Sequence, residues 1–513
     1  MGIRACIPQW IFGGLALGQD QQLPCVPQMF DQDSVVCVCN ATYCDTLPQP
    51  VIPPTGDALV YTSDLTGKRF DMTVEHFQPM HTESSESIHF VVSADDEYQP
   101  IKGWGGAFTD AAAANILSLS PEAQDMLLSA YFTSTGLEYN IGRVNMGGCD
   151  FSWRHYTYDD VEGDIDLTMF QLAPEDTDYK IPVIHRAKAM SSRPVELFAS
   201  PWSAPIWMKT NHNDSGFGQL KEEMYQPWAN YFVKFLDSYS DYDLTFFGMT
   251  AQNEPIDGYV PGFAFNCMGW TADEQRQWIA ENLGPTMKEA GYSDVDIMIL
   301  DDQRFNLPGW AETVLGDPDA EQYVSGIGVH WYGDNYSPAG LLDNTNELFP
   351  DKYIIMTEAC EGSYPWQTAV TLGRWERLES YARNIITDMN HWVTGWVDWN
   401  LALDMEGGPN WEGNFVDAPI IVNKESDEFY KNPMYYALGH FSKFVRPGAK
   451  RVGLNPTHQS HMHATAFKNT DNSIAVVILN SSEETLDMIL EETAHGQLTI
   501  QASPRSLQTI IFQ

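Results

Sequence analysis

Phe246-Phe247-Gly248-Met249-Thr250-Ala251-Gln252-Asn253-Glu254-Pro255 is an aromatic and apolar run that breaks off into a glutamate and a proline. Tyr353-Ile354-Ile355-Met356-Thr357-Glu358-Ala359-Cys360 repeats the form, with Glu358 closing the run. Short runs of aromatic and β-branched residues read as strands, and turn residues straight after them mark their ends. Outward from these two, similar runs begin near Ile101, Tyr139, Val195, Leu244, Val295, Val324, Tyr353 and Val393. Between them lie stretches with helical spacing, such as Trp228, Phe232, Phe235 and Leu236, or Trp375, Leu378, Tyr381 and Ile385. Strands alternating with helices over about 300 residues predict an α/β fold of the (β/α)₈ TIM-barrel type, whose functional side chains gather at the C-terminal ends of the strands.

Two carboxyl groups facing one sugar are what cleavage of a glycosidic bond requires: one protonates the departing oxygen, and the other attacks the anomeric carbon or activates water. A single strand-end glutamate is more often simply solvated, so the surroundings carry the argument. Asn253 places an amide beside Glu254. Asp150 and Phe151 follow Gly142-Arg143-Val144-Asn145, Trp202 and Trp207 follow Leu197 to Ser200, His330, Trp331 and Tyr332 follow Ile327 to Val329, and Trp399 and Asn400 follow Asp398. Indole faces stack on the C–H surface of a sugar while amides and carboxylates take its hydroxyls. One tryptophan is more often core; a series at successive strand ends predicts a carbohydrate site.

The chain of 513 residues is 43% hydrophobic, long enough for roughly two to four domains. It contains no run of about eighteen apolar residues, so no membrane-spanning helix is expected. Asp and Glu number 70 against 28 Lys and Arg, a formal net charge of −42, which argues against nucleic acid as a partner. Near the sequence pI of about 4.4 that charge largely cancels. An acidic lumen fits the composition, as does an acidic surface kept for solubility.

Arg4 precedes an apolar run from Trp10 to Gly18 with small residues at 16 and 18, a candidate signal peptide over 1–18. Cys25, Cys37, Cys39 and Cys44 cluster within twenty residues, as local disulfides do; zinc is the competing reading, although Cys37-Val38-Cys39 makes a poor metal knuckle. Asn40, Asn213, Asn335 and Asn480 open glycosylation sequons. The stretch from Val51 to Ser93 is strand-rich, as is the C-terminus at His463–Phe467, Ser473–Leu479 and Leu498–Ile500. A β-sandwich built from both chain ends is therefore expected beside the barrel.

Five segments together, Cys37-Val38-Cys39-Asn40-Ala41-Thr42-Tyr43-Cys44, Ala251 to Pro255, Val329 to Tyr332, Thr357 to Cys360 and Asp398 to Leu403, closely resemble glycoside hydrolase family 30, in its lysosomal acid β-glucosidase branch. Glu406-Gly407-Gly408-Pro409-Asn410-Trp411 matches as well. The resemblance implies a retaining hydrolysis of glucosylceramide to glucose and ceramide, with Glu254 as acid/base and Glu358 as nucleophile, and no cofactor or metal. It implies glucose contacts from Asp150, Trp202, Asn253, Trp399 and Asn414, and a pocket lined or ordered by Phe151, Phe265, His330 and Tyr332. It further implies disulfides Cys25–Cys37 and Cys39–Cys44, with Cys149, Cys267 and Cys360 as thiols. The expected partners are a lipid surface met without a transmembrane segment, a saposin-type activator and a lysosomal sorting receptor; the expected location is the lysosome, or alternatively outside the cell. The domain division expected is 19–48 with 401–432 as a small antiparallel β element, 51–98 with 449–513 as an Ig-like sandwich, and 99–400 with 433–448 as the barrel. Gln252, Phe263 and Glu361 depart from the family's glutamate, tyrosine and apolar residue. Rival readings are another family 30 activity (β-glucosidase, β-xylosidase or β-1,6-glucanase) and a non-catalytic carbohydrate- or lipid-binding barrel.

Overall fold

A computed structural model describes residues 22–80, 88–456 and 462–513; the expected leader over 1–18 lies outside them. Eight parallel strands close into a barrel: Gly103–Ala107, Ile141–Met146, Glu196–Pro201, Phe246–Thr250, Asp296–Gln303, Val324–His330, Tyr353–Glu358 and Val393–Asn400. Each begins within two residues of the start of its hydrophobic run. The return helices follow the spacing of their apolar residues. Tyr225–Ser240 buries Trp228, Phe232, Phe235, Leu236 and Tyr239 along one stripe, and Trp375–Asn390 does the same with Leu378, Tyr381 and Ile385. Caps set where helices start: the Ser120 hydroxyl accepts from the Ala123 N–H ahead of Pro121, and Thr271 and Glu274 form a reciprocal capping box.

The sheet built from both chain ends has nine strands in one hydrogen-bonded order: Gly496–Ala502, Leu486–Glu492, Ile88–Pro100, Lys450–Pro456, Met462–Lys468, Ile474–Asn480, Ser506–Phe512, Asp57–Asp64 and Asp71–His76. It curls until its edges meet, where Gln78 bridges Gln497, and encloses a core of its own that includes Val60, Phe90, Val476, Ile478, Leu490 and Phe512. The barrel helix Pro433–Ser442 docks on it through His440, whose ring nitrogens lie 2.8 Å from Thr509 Oγ1 and 2.9 Å from Ser63 Oγ.

A third sheet runs Pro27–Met29, Val35–Asn40, Glu428–Lys431, Ile420–Asn423, Leu403–Asp404. It corrects the expectation of a wholly antiparallel element: Leu403–Asp404 pairs parallel with Ile420–Asn423, because the long excursion between them brings the chain back in the same direction. Cys25–Cys37 and Cys39–Cys44 are disulfides with Cα separations of 5.2 and 4.4 Å, which leaves none of the four thiolates for zinc. Cys149, Cys267 and Cys360 are buried thiols.

Candidate active site

Alternation along the strands decides what the barrel encloses. Ile141, Phe198, Met298, Ile355 and Val397 form an apolar cluster, and two residues further along, on the same face of their strands, stand Arg143, Ser200 and Thr357. The fifth strand breaks that period with a bulge between Leu300 and Asp302, where Leu300 and Asp301 take left-handed backbone at φ 68° and 56°. The bulge delivers Asp301 to the polar layer, where its carboxylate accepts from Thr250 Oγ1 at 2.7 Å, Thr357 Oγ1 at 2.6 Å and Arg143 Nη2 at 3.0 Å.

Arg143 is the hub. Its guanidinium, fully buried, donates to Glu358 Oε2, to Asn253 Oδ1 at 2.8 Å and to Ser200 Oγ at 3.2 Å, and lies 5.0 and 5.2 Å from the ring centres of Trp202 and Trp399. The hydroxyl of Tyr332 donates to the other oxygen of Glu358 at 2.7 Å. Glu254 lies just beyond the fourth strand in left-handed backbone, φ 41°, a conformation a glutamate holds only where its surroundings fix it. Its N–H donates to Asp301 O at 2.9 Å, and its Oε1 accepts from Gln303 Nε2 at 2.9 Å and lies 2.9 Å from His330 Nδ1. His330 Nε2 is 3.0 Å from Asp301 Oδ1. Flanked by acceptors on both sides, the imidazole donates from both nitrogens. Burial alone would lower its pKa, but Glu358 and Asp301 push it up to about 10. Burial likewise opposes the ionised form of Asp301, yet Arg143 and His330 hold that carboxyl well below the usual range.

A cavity of about 290 Å³ opens over this layer, room for one pyranose ring. Glu254 and Glu358 face each other across it, with an oxygen of each within 4.8 Å. Trp202 and Trp399 stack at 5.3 Å, Phe151 packs edge-on against Trp399, and Phe265 packs edge-on against Phe263 at the rim. Asp150 sits on the floor. Asn410 and Asn414 donate to its Oδ2 at 3.2 and 3.1 Å, while burial first, then the charge of Glu358, raise its pKa to about 7. Asp150, Phe151, Trp202, Asn253, Phe265, Tyr332, Trp399 and Asn414 all line the cavity, and His330 stands behind Glu254.

Trp207 and Trp331 do not reach it: the first donates to Asp159 O, and the second to Cys360 O while packing on Tyr381 and Trp396. Glu361 also turns away, accepting from Gln367 beside a separate polar cavity lined by Arg304 and Asn384. Of the sequons, Asn213 and Asn335 are exposed and Asn40 half-buried. Asn480 requires a correction: it is fully buried and its Nδ2, the atom a glycan needs, donates to Glu484 O, Ala502 O and Ser503 O.

Sequence reading passed over Arg143, Asp257, Asp301 and Gln303. Arg143 is a lone cation in an apolar strand, and Asp301-Asp302-Gln303 closes Ile297 to Leu300 as Glu358 closes its own run; both carry the strand-end signal. Asp257, on the cavity wall against Glu254, follows a turn and carries no such signal.

Residues 101–445 match the glycosyl hydrolase family 30 TIM-barrel domain and residues 448–510 the family 30 beta sandwich domain. The lysosomal acid glucosylceramidase of Mus musculus is 47% identical over 96% of each chain. Among solved structures, SrfJ from Salmonella typhimurium superposes with a TM-score of 0.82 at 26% identity, covering 89% of this chain and 99% of its own, and the endo-beta1,6-glucanase BT3312 with 0.77 at 26%, covering 90% and 99%. With both of its domains matched and its barrel closed around a pair of glutamates, the chain belongs to glycosyl hydrolase family 30.

Proposed function

We propose that this glycosidase cleaves the β-glucosidic bond of glucosylceramide by double displacement, with Glu358 as nucleophile and Glu254 as acid/base. The observation that carries the reading is the carboxylate pair, with oxygens within 4.8 Å: that spacing matches the roughly 5 Å separation of retaining enzymes rather than the wider gap with which inverting ones seat a water beside the sugar. Arg143 and Tyr332 aim Glu358 at the anomeric carbon, while Asp150, Asn253 and Asn414 are placed to take sugar hydroxyls and Trp202 and Trp399 to shape the wall. The likeness to a lysosomal glucosylceramidase across nearly the whole chain supports the lipid glucoside and an acidic lumen. Trp366, exposed and stacked on Tyr364 of the cavity wall, supports contact with a lipid surface. No helix among the described residues is long and apolar enough to cross a membrane.

Changing Glu358 to Gln should abolish turnover of every substrate. Changing Glu254 to Ala should spare glycosylation by dinitrophenyl β-glucoside, with azide restoring turnover by replacing the base-assisted water. A 2-fluoro glucoside should label Glu358 in peptide mass spectrometry; a label on Glu254, or an α-anomer as first product, overturns the assignment. Glucosylceramide in anionic vesicles at pH about 5 should be a better substrate than soluble β-1,6-glucan or xylan; the reverse order would move the chain to another activity of its family.

A further inference from the structure

Glu254 has a third carboxyl against it. Its Oε1 accepts from Gln303 and faces His330. The chain then turns sharply, as the Asp257 N–H donates to Glu254 O at 3.0 Å and opens the short helical turn Asp257–Tyr259. That turn brings the Asp257 side chain back to the cavity wall beside Glu254, close enough for each carboxyl to act on the other. Two carboxyls buried side by side do not both ionise; one of them holds a proton.

The surroundings say which one. Facing Asp257 are Glu254 on its own loop, Asp302 from the end of the fifth strand and the thiol of Cys267. Asp302 is fixed by the N–H groups of Gln303 at 2.6 Å and Ile256 at 3.2 Å. Around Glu254 stand His330 from the sixth strand and Arg143 from the second, with Glu358, Tyr332 and Asp150 across the cavity. The two cations of this set, Arg143 and His330, are spent on Asp301, Glu358 and Glu254.

We propose that Asp257 is a positioning residue for the acid step, holding in the sugar-free enzyme the proton that Glu254 delivers to the leaving oxygen. This rests on the role given to Glu254 above. Burial, then the charges of Glu254 and Asp302, drive the Asp257 pKa well up, while His330 holds Glu254 below its ordinary value despite its burial. As the glycosidic C–O bond breaks and Glu358 bonds to the anomeric carbon, the one proton of the pair passes from Asp257 through Glu254 to the departing oxygen, leaving both carboxyls ionised. In the second half, water gives a proton to the pair and its oxygen to the sugar, and Glu358 leaves. The pair ends as it began, with one proton.

The test is kcat/KM against pH for wild type, D257N, D257A and D257E on phenyl β-glucoside, whose leaving group needs an acid, and on dinitrophenyl β-glucoside, whose leaving group does not. Loss of the neighbouring carboxyl should move the basic limb for the phenyl substrate down by about one pH unit or more in both D257N and D257A, leave the dinitrophenyl limb in place, and be reversed in D257E. A basic limb unmoved in D257N and D257A, or moved equally for both substrates, overturns the proposal. E254Q in parallel separates the two readings: if it hydrolyses the phenyl substrate at the wild-type rate, the role of Glu254 itself is wrong, whatever Asp257 does.

Discussion

Arg143 holds together groups that would otherwise repel. Replacing it with Met leaves Asp301 and Glu358 buried without their shared cation, so the variant should lose about 3–5 kcal/mol of stability in chemical denaturation, together with activity. Gln252 illustrates the opposite case, a neutral side chain where the family resemblance expects an acid. Fully buried, its Nε2 donates to the carbonyls of Pro201, Trp202 and Asn253 at 3.1, 2.8 and 3.0 Å. A carboxylate there would meet three acceptors, so Gln252→Glu should hold its proton in the folded state, with a pKa raised above the unfolded value. The folded variant then binds more protons than the unfolded chain, and its stability relative to wild type should fall as pH rises from about 4.3, by up to 1.4 kcal/mol per pH unit until the folded pKa is passed. Thermal unfolding at pH 5 and 8 checks this; an equal deficit at both pH values contradicts it. Glu254 and Glu358 were legible in the sequence because each ends an apolar run. Asp257 was not, because a turn in space, not a spacing in sequence, brings it to Glu254.

Strand packing in the barrel is close enough that one methyl group decides it. A Cβ on Gly105 would lie 1.8 Å from Ile141 O on the neighbouring strand, and backbone cannot yield by that much. Gly105→Ala should therefore fail to give folded enzyme, whereas Gly309→Ala, with nothing within 4 Å, should express and melt like wild type; the yield of folded protein and its melting temperature distinguish the two. The bulge at Leu300–Asp302 belongs to this scale as well, since in a regular strand Asp301 would point to the opposite face. The eight barrel strands were legible because buried parallel strands are continuous apolar runs. Leu486–Glu492 was not: its leucines, methionine and acids suit a helix as well as a strand, and it is a strand because Gly496–Ala502 pairs with one edge and Ile88–Val92 with the other. The loop between Leu403–Asp404 and Ile420–Asn423 lacks periodicity altogether, yet carries Asn410 and Asn414 to Asp150; the family resemblance supplied Asn414, and Asn410 was missed.

For the molecule as a whole, burial of acids sets the pH dependence of stability. Asp150 and Asp302 are raised to about 7 and Asp334 to about 6, with burial the largest cause in each, and Asp388 and Asp398 are pushed up for the same reason. Each binds a proton in the folded state at pH values where the unfolded chain has lost it, so each destabilises the fold progressively as pH rises from about 4 toward 7. His330, raised to about 10, contributes stability that is complete below about 6.5 and lost above it. His440, lowered to about 3 by burial, acts the other way, costing stability as pH falls below about 6.5. The acids outnumber it, and a net charge of −42 adds self-repulsion at neutral pH. The melting temperature should be higher at pH 5 than at pH 7.5; the reverse order would mean that His440 and its like dominate.

The nine-stranded sheet bears on the order in which the protein is made. Ser506–Phe512, the last strand of the chain, lies between Ile474–Asn480 and Asp57–Asp64. The first strand of that sheet to be synthesised thus waits for Ser506–Phe512, and Asp57–Asp64 and Asp71–His76 have no native seat until that strand has been made. A stop codon at position 504, harmless to every residue around the cavity, should therefore leave those two strands undocked, so that the product is recovered aggregated or degraded although its active site is complete.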